Sequence, residues 1–104
     1  MKRSAIHPGE HLAEQLEELG ISAAELGRQL GVPTNRVTAI LHGRRSITGD
    51  TALRLGHFFG GSPQFWLNLQ ALYDLRIAER KAGGKIKSLP TLSADVRRRS
   101  TVAA

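Results

Sequence analysis

The chain contains no cysteine, which excludes disulfides, thiolate zinc sites, iron–sulfur clusters and cysteine nucleophiles. No apolar run approaches the ~18 residues that a membrane span needs. The basic start Lys2-Arg3 is followed by His7-Pro8-Gly9-Glu10 and not by an apolar signal core. No stretch before residue 83 alternates apolar and polar residues long enough to argue for a strand. These absences point to a soluble, cytoplasmic protein built without a sheet.

What is present fits one small domain. A length of 104 residues suits a single core, and the 40% apolar content suits a globular chain. Acidic residues are the minority, nine against fifteen basic ones, for a net charge of +6. The sign is uneven along the chain: −2 over residues 1–20, +3 over 21–61, +1 over 62–82 and +4 over 83–104. A basic excess attracts phosphate without regard to sequence, so composition already favours a nucleic-acid partner.

Glycines and capping residues divide residues 1–82 into five helical segments. Pro8 suits the first turn of a helix running to Leu19, with Leu12, Leu16 and Leu19 on one stripe and Gly20 behind it. Ser22 and Glu25 form a capping-box pattern opening a second helix that ends at Leu30, before Gly31. Thr34 is the expected cap of a third, terminated by Gly43. Thr48 caps a fourth, where Asp50 suits the positive end and Leu53, Leu55, Phe58 and Phe59 supply apolar positions. Ser62-Pro63 opens the fifth and longest, expected from about Gln64 to Ala82 and ended by Gly83-Gly84. The fold class is therefore all-α with five helices over residues 1–82, followed by a basic C-terminal tail over 83–104. That tail, with Pro90 and Arg97-Arg98-Arg99, is expected to be an appendage that orders on a partner or stays mobile.

Residues 23–42, AAELGRQLGVPTNRVTAILH, carry the functional signal. Two short helices crossing steeply need a residue in the turn that tolerates positive φ, and Gly31 supplies it. They also need a small residue where the backbones cross, and Gly27 stands four positions earlier. Leu26, Leu30, Val32, Val37, Ile40 and Leu41 are apolar where the pair must face inward; Thr34, Asn35, Arg36, Thr38 and His42 are polar where its second helix must face outward. An αα-corner with no DNA function is the plainer alternative. Arg36, Arg44 and Arg45 beside the outward face argue against it, because a docked duplex needs base contacts and flanking phosphate contacts there.

At this point the chain resembles the lambda-repressor-like (Xre) helix-turn-helix proteins, and within them the HigA antitoxin (VapI-like) branch. The motifs are His7-Pro8-Gly9-Glu10, Gly31-Val32-Pro33, Ile47-Thr48-Gly49-Asp50-Thr51-Ala52-Leu53-Arg54-Leu55, Phe59-Gly60, Ser62-Pro63-Gln64-Phe65-Trp66-Leu67-Asn68-Leu69-Gln70 and Tyr73-Asp74-Leu75. The resemblance spans roughly residues 5–80. It implies a five-helix lambda-repressor-like domain and a dimeric repressor of its own operon that also binds and neutralises a small RNA-cleaving, HigB-like toxin.

Carried onto this sequence, Thr34, Asn35, Arg36 and Thr38 are the expected base-reading residues of an inverted-repeat operator in double-stranded DNA. Arg36 can pair with guanine and Asn35 with adenine. Ser22, Gln29, Arg44 and Arg45 are the phosphate candidates, Ser22 through the N-terminus of its helix. His42 has either role or none. The fifth helix carries more apolar residues than one face can hold, so Phe65, Trp66, Leu69, Leu72 and Tyr73 are the expected homodimer interface. Asn68 and Gln70 are amides amid that surface, suited to bridging neighbouring backbone.

Catalysis finds little support. His7-Pro8-Gly9-Glu10-His11 has the spacing of inverted zinc-protease motifs, but Pro8 and Gly9 put His7 at or before a helix start instead of on the same face as His11. No third ligand accompanies them, and the reading is of a non-enzyme without metal or cofactor. Two alternatives remain: an Xre-type regulator with no toxin partner, and a protein-interaction module on the helix-turn-helix scaffold.

Overall fold

A computed structural model describes residues 5–92. Five helices follow one another: α1 (Pro8–Leu19), α2 (Ala23–Leu30), α3 (Thr34–Leu41), α4 (Gly49–Phe59) and α5 (Pro63–Lys87). The expected caps are largely in place. The side-chain oxygens of Ser22, Thr48 and Ser62 accept from the backbone N–H groups of Glu25, Thr51 and Gln64. Glycines in the left-handed region, Gly20, Gly31 and Gly60, close α1, α2 and α4.

Four expectations need correction. Helix α3 is capped by Pro33 with no side-chain hydrogen bond, and Thr34 is its first residue. Proline fixes φ near the required value, so the chain turns in without a capping hydroxyl. Leu19 and Leu53 are exposed, at 56% and 63%, and lie off the inward stripes of α1 and α4. Helix α5 does not stop at Gly83-Gly84 but runs to Lys87, where the Ser88 hydroxyl donates to the Lys85 carbonyl. Neither residue is among the glycines with positive φ; glycine weakens a helix, and it ends one only where the chain turns left-handed. The expected boundary at residue 83 therefore falls inside a helix. Arg97-Arg98-Arg99 and the rest of 93–104 lie outside the described residues.

Helix α2 packs on α3 and α4, α1 on α3 and α5, and α4 on α5. Their shared core comprises Leu12, Leu16, Leu26, Leu30, Val37, Ile40, Ile47, Ala52, Leu55 and Trp66. Helices as short as the eight residues of α2 and α3 are marginal alone, so burial of this common stripe holds the recognition unit in shape.

The start of α1 shows why His7-Pro8-Gly9-Glu10-His11 has its spacing. The Gly9 N–H donates to His7 Nδ1 at 2.9 Å, and the His7 N–H donates to the Glu10 carboxylate at 3.3 Å. This reciprocal pair is a full capping box. His7 is buried, its ring edge-on to Tyr73 at 4.9 Å. Burial pushes its pKa below the ordinary value, against opposing pulls from Asp74, Glu10 and the Arg45 backbone. Among the described residues no group of three ligating side chains could hold a metal.

Candidate nucleic-acid interface

The turn between α2 and α3 is built by two glycines. Gly31 sits at φ +72°, where a side chain is strained, and its N–H returns to the Gly27 and Arg28 carbonyls. A methyl group at Gly27 would lie 3.0 Å from the Val32 carbonyl oxygen and 3.5 Å from Thr34 Cα. The backbone of the second helix therefore crosses the first at the one residue without a Cβ.

This crossing buries Val37 and Ile40 and turns the other side of α3 to solvent. Thr34 and Asn35 are exposed at its first turn. Thr38 is half-buried and donates its hydroxyl hydrogen to the Asn35 carbonyl at 3.2 Å, which leaves the hydroxyl oxygen with acceptor capacity. Arg36 is held: its Nη1 donates to Asp50 Oδ2 at 3.0 Å, and its side chain is 26% exposed. The four expected base-reading residues thus share one helix, three of them within its first turn.

The phosphate candidates flank this face. Arg44 and Arg45 are exposed in the segment leaving α3, and among the described residues neither pairs with an acid. Ser22 and Gln29 line an open concavity of about 550 Å³ together with Arg28 and Phe58. Here the side chains are already engaged: Ser22 caps α2, and Glu25 accepts from Gln29 at 2.7 Å and from Arg28 at 2.6 Å. These hydrogen bonds, Gln29 first, lower the Glu25 pKa. His42 is exposed at the C-cap of α3.

The sequence reading gave two residues no place in the interface. Arg54 donates from Nε to Asp50 Oδ2 at 2.9 Å and from Nη1 to the Leu30 carbonyl at 2.8 Å, satisfying an end carbonyl of α2. Asp50 therefore accepts from two arginines, and the bond from Arg54, followed by that from Arg36, holds its carboxyl below the ordinary range. The four-residue spacing of Asp50 and Arg54 on one helix was the available signal.

The expected dimer face is redrawn. Trp66 is 2% exposed and belongs to the core of its own chain, so it presents nothing to a partner; Phe59 and Phe65 pack against its ring. Leu69 is half-buried against that core, and Tyr73 is half-buried against His7. Phe65 and Leu72 are exposed, at 43% and 44%, and Leu75 joins them at 63%. Gln70 is buried, accepting from the Ile47 N–H at 2.8 Å and donating to Asp74 at 3.0 Å.

A short helix packed across another through a glycine turn, with its polar side outward and arginines behind it, is the architecture of a helix-turn-helix domain. The chain belongs to the Xre-type helix-turn-helix family, whose helix-turn-helix model matches residues 12–66. It is 47% identical over 94 residues to the virulence-associated protein I of Dichelobacter nodosus, covering 89% of this chain and 86% of that one. Its structural neighbours include antitoxins of the HigA family. An addiction module antidote protein of that family from Coxiella burnetii superposes with a TM-score of 0.84 at 56% identity, covering 89% of this chain and all of the other. Pseudomonas aeruginosa antitoxin HigA, in a structure with the higBA promoter, gives 0.82 at 41% identity, over 86% of this chain and all of that one. No helix among the described residues is long and apolar enough to cross a membrane.

Proposed function

We propose that this chain is a DNA-binding antitoxin that, as a homodimer, represses its own operon and neutralises a small RNA-cleaving toxin by direct binding. The observation that carries the DNA part is the first turn of α3, with Thr34 and Asn35 exposed and Arg36 half-buried beside them, backed by Arg44 and Arg45, in a chain so similar to one whose structure includes the higBA promoter. In this reading Thr34, Asn35, Arg36 and Thr38 read base edges, while Arg44, Arg45, Gln29 and the start of α2 at Ser22 hold phosphates. Phe65, Leu72 and Leu75 follow one another at seven and three residues, so they share a side of α5 and form the apolar stripe offered to a second copy. Two copies related by a two-fold axis suit an inverted repeat, and occupying it across a promoter excludes polymerase.

The test is a titration of the full chain against a duplex from immediately upstream of its own operon and against a scrambled duplex, each at two salt concentrations. Tight binding confined to the first, weakening with salt, is expected; equal weak binding to both overturns sequence-specific repression. The toxin part is tested by co-expressing the chain with a HigB-like RNA-cleaving toxin encoded beside its gene. Rescue of growth and co-purification are expected, and persistent growth arrest refutes neutralisation.

A further inference from the structure

Asp50 stands in the first turn of α4, outside the recognition helix, with its side chain 56% exposed. One oxygen of its carboxylate, Oδ2, accepts from Arg36 at 3.0 Å and from Arg54 at 2.9 Å. Arg54 is anchored in turn on the Leu30 carbonyl at 2.8 Å and reaches the Gly31 carbonyl at 3.4 Å. The contacts therefore run from the end of α2 through Arg54 and Asp50 to Arg36 on α3. They fix the arginine of the recognition helix to the same glycine turn that sets the helix angle.

We propose that Asp50 is a specificity-determining residue of the DNA interface, holding Arg36 in one orientation so that its remaining donors meet a defined base edge. This rests on the reading of Arg36 as a base contact. A guanidinium has five N–H donors in a planar fork. Asp50 engages Nη1, and Nη2 with Nε can still serve the two acceptors of a guanine edge. An unheld arginine at an exposed helix position swings over many rotamers and reaches phosphates of any sequence as readily as one base. The carboxylate acts a second way, since a negative charge beside the groove repels every phosphate alike. Asp50 thus lowers binding to random DNA and raises binding to the right site. A residue serving only to start α4 would do neither.

The experiment compares the full-length wild type, Asp50→Asn, Asp50→Glu, Arg36→Ala and the Asp50→Asn/Arg36→Ala double variant on the upstream and scrambled duplexes, with thermal melts as folding controls. Asp50→Asn is expected to bind scrambled DNA more tightly while the ratio of specific to random affinity falls on the order of tenfold, the scale of one bidentate base pair. Asp50→Glu keeps the charge but displaces the oxygen, so random binding stays near wild type while the ratio still falls. In the Arg36→Ala background, Asp50→Asn leaves the ratio unchanged. If Arg36→Ala lowers the ratio but Asp50→Asn raises affinity for both duplexes by one factor, or favours the upstream one, the role of Asp50 is overturned and the base contact stands. If Arg36→Ala leaves the ratio intact, the base contact itself fails and takes the role of Asp50 with it.

Discussion

Helices α1 to α4 and helix α5 meet different demands from similar amounts of apolar side chain. The first four are 8 to 12 residues long, and each turns an inner stripe onto a common core. Helix α5 is 25 residues long, about 37 Å at the usual rise, yet only Trp66 and Gln70 are buried along it. Beyond Gln70 it exposes Leu72, Leu75 and Ile86. Burial within one chain accounts for most of the apolar side chains of the first group, Leu19 and Leu53 excepted, whereas the stripe of α5 finds no cover within the chain. Apolar periodicity therefore means a core in one region and an uncovered stripe in the other.

The largest effect that separates the two regions is leucine truncation. Leu26 is fully buried, so Leu26→Ala is expected to cost about 2–5 kcal/mol in urea unfolding. Leu72→Ala, at a 44% exposed position, is expected to change the stability of the dilute chain by no more than about 0.5 kcal/mol. Its effect falls instead on self-association, read by sedimentation. Equal losses of stability for the two variants would erase the distinction.

The two amides of α5 sharpen it. Gln70 satisfies the buried Ile47 N–H, which Gln70→Ala leaves without a partner, a loss of about 1–3 kcal/mol in the same assay. Asn68, two residues away, accepts from exposed Gln64. Asn68→Ala is expected to stay within about 0.5 kcal/mol of wild type. A reversed order would mean that the buried contact from α5 to Ile47 does not anchor the helix.

These pairs also show what was legible in the sequence. Helix starts at Ala23, Gly49 and Pro63 followed from Ser22, Thr48 and Ser62, because a cap is a local event within three residues. Gly27 and Gly31 disclosed the helix crossing for the same reason. Arg36 with Asp50 was not legible, since fourteen residues separate them and only the docking of α4 on α2 brings them together. Trp66 was misassigned because the apolar surplus of α5 was visible, but the division between core and outer side depends on where α4 lies. The capping role of His7 was hidden by a spacing that also suits a metal ligand, although Pro8 already placed it at a helix start.

His7 ties the two regions together, standing at the start of α1 with its ring against Tyr73 of α5. Its depressed pKa means that the unfolded chain takes up a proton before the folded one does. Stability is therefore fully present above the ordinary histidine range and falls as pH drops through it, levelling once the folded ring also protonates. The melting temperature of wild type is expected to decline between about pH 7.5 and 5.5. His7→Asn keeps a capping side chain without a titrating ring, so its decline is expected to be shallower. Asp50 and Glu25, whose pKa values are lowered, act in a separate, more acidic window, where their contribution is lost on protonation. Parallel curves for the two proteins would show that the junction does not depend on the charge state of His7.

The smallest expected effect lies at the far end of α5. Gly83 and Gly84 are helical there, and a methyl group at Gly84 would meet nothing within 4 Å. Gly84→Ala therefore removes a helix penalty of up to about 1 kcal/mol without adding a contact. Because this end of α5 has no buried residue, the gain is expected to stay local. Slower hydrogen exchange over residues 81–87 should accompany a urea midpoint close to wild type. If instead Gly84→Ala frays these turns or lowers the midpoint, the two glycines end the helix as their spacing first suggested. The exposed apolar stripe would then be confined to Phe65, Leu72 and Leu75, without Ile86. Local protection at 81–87 in the wild type, rising with protein concentration, would extend the stripe to its full length and make the last turns of α5 part of the assembly.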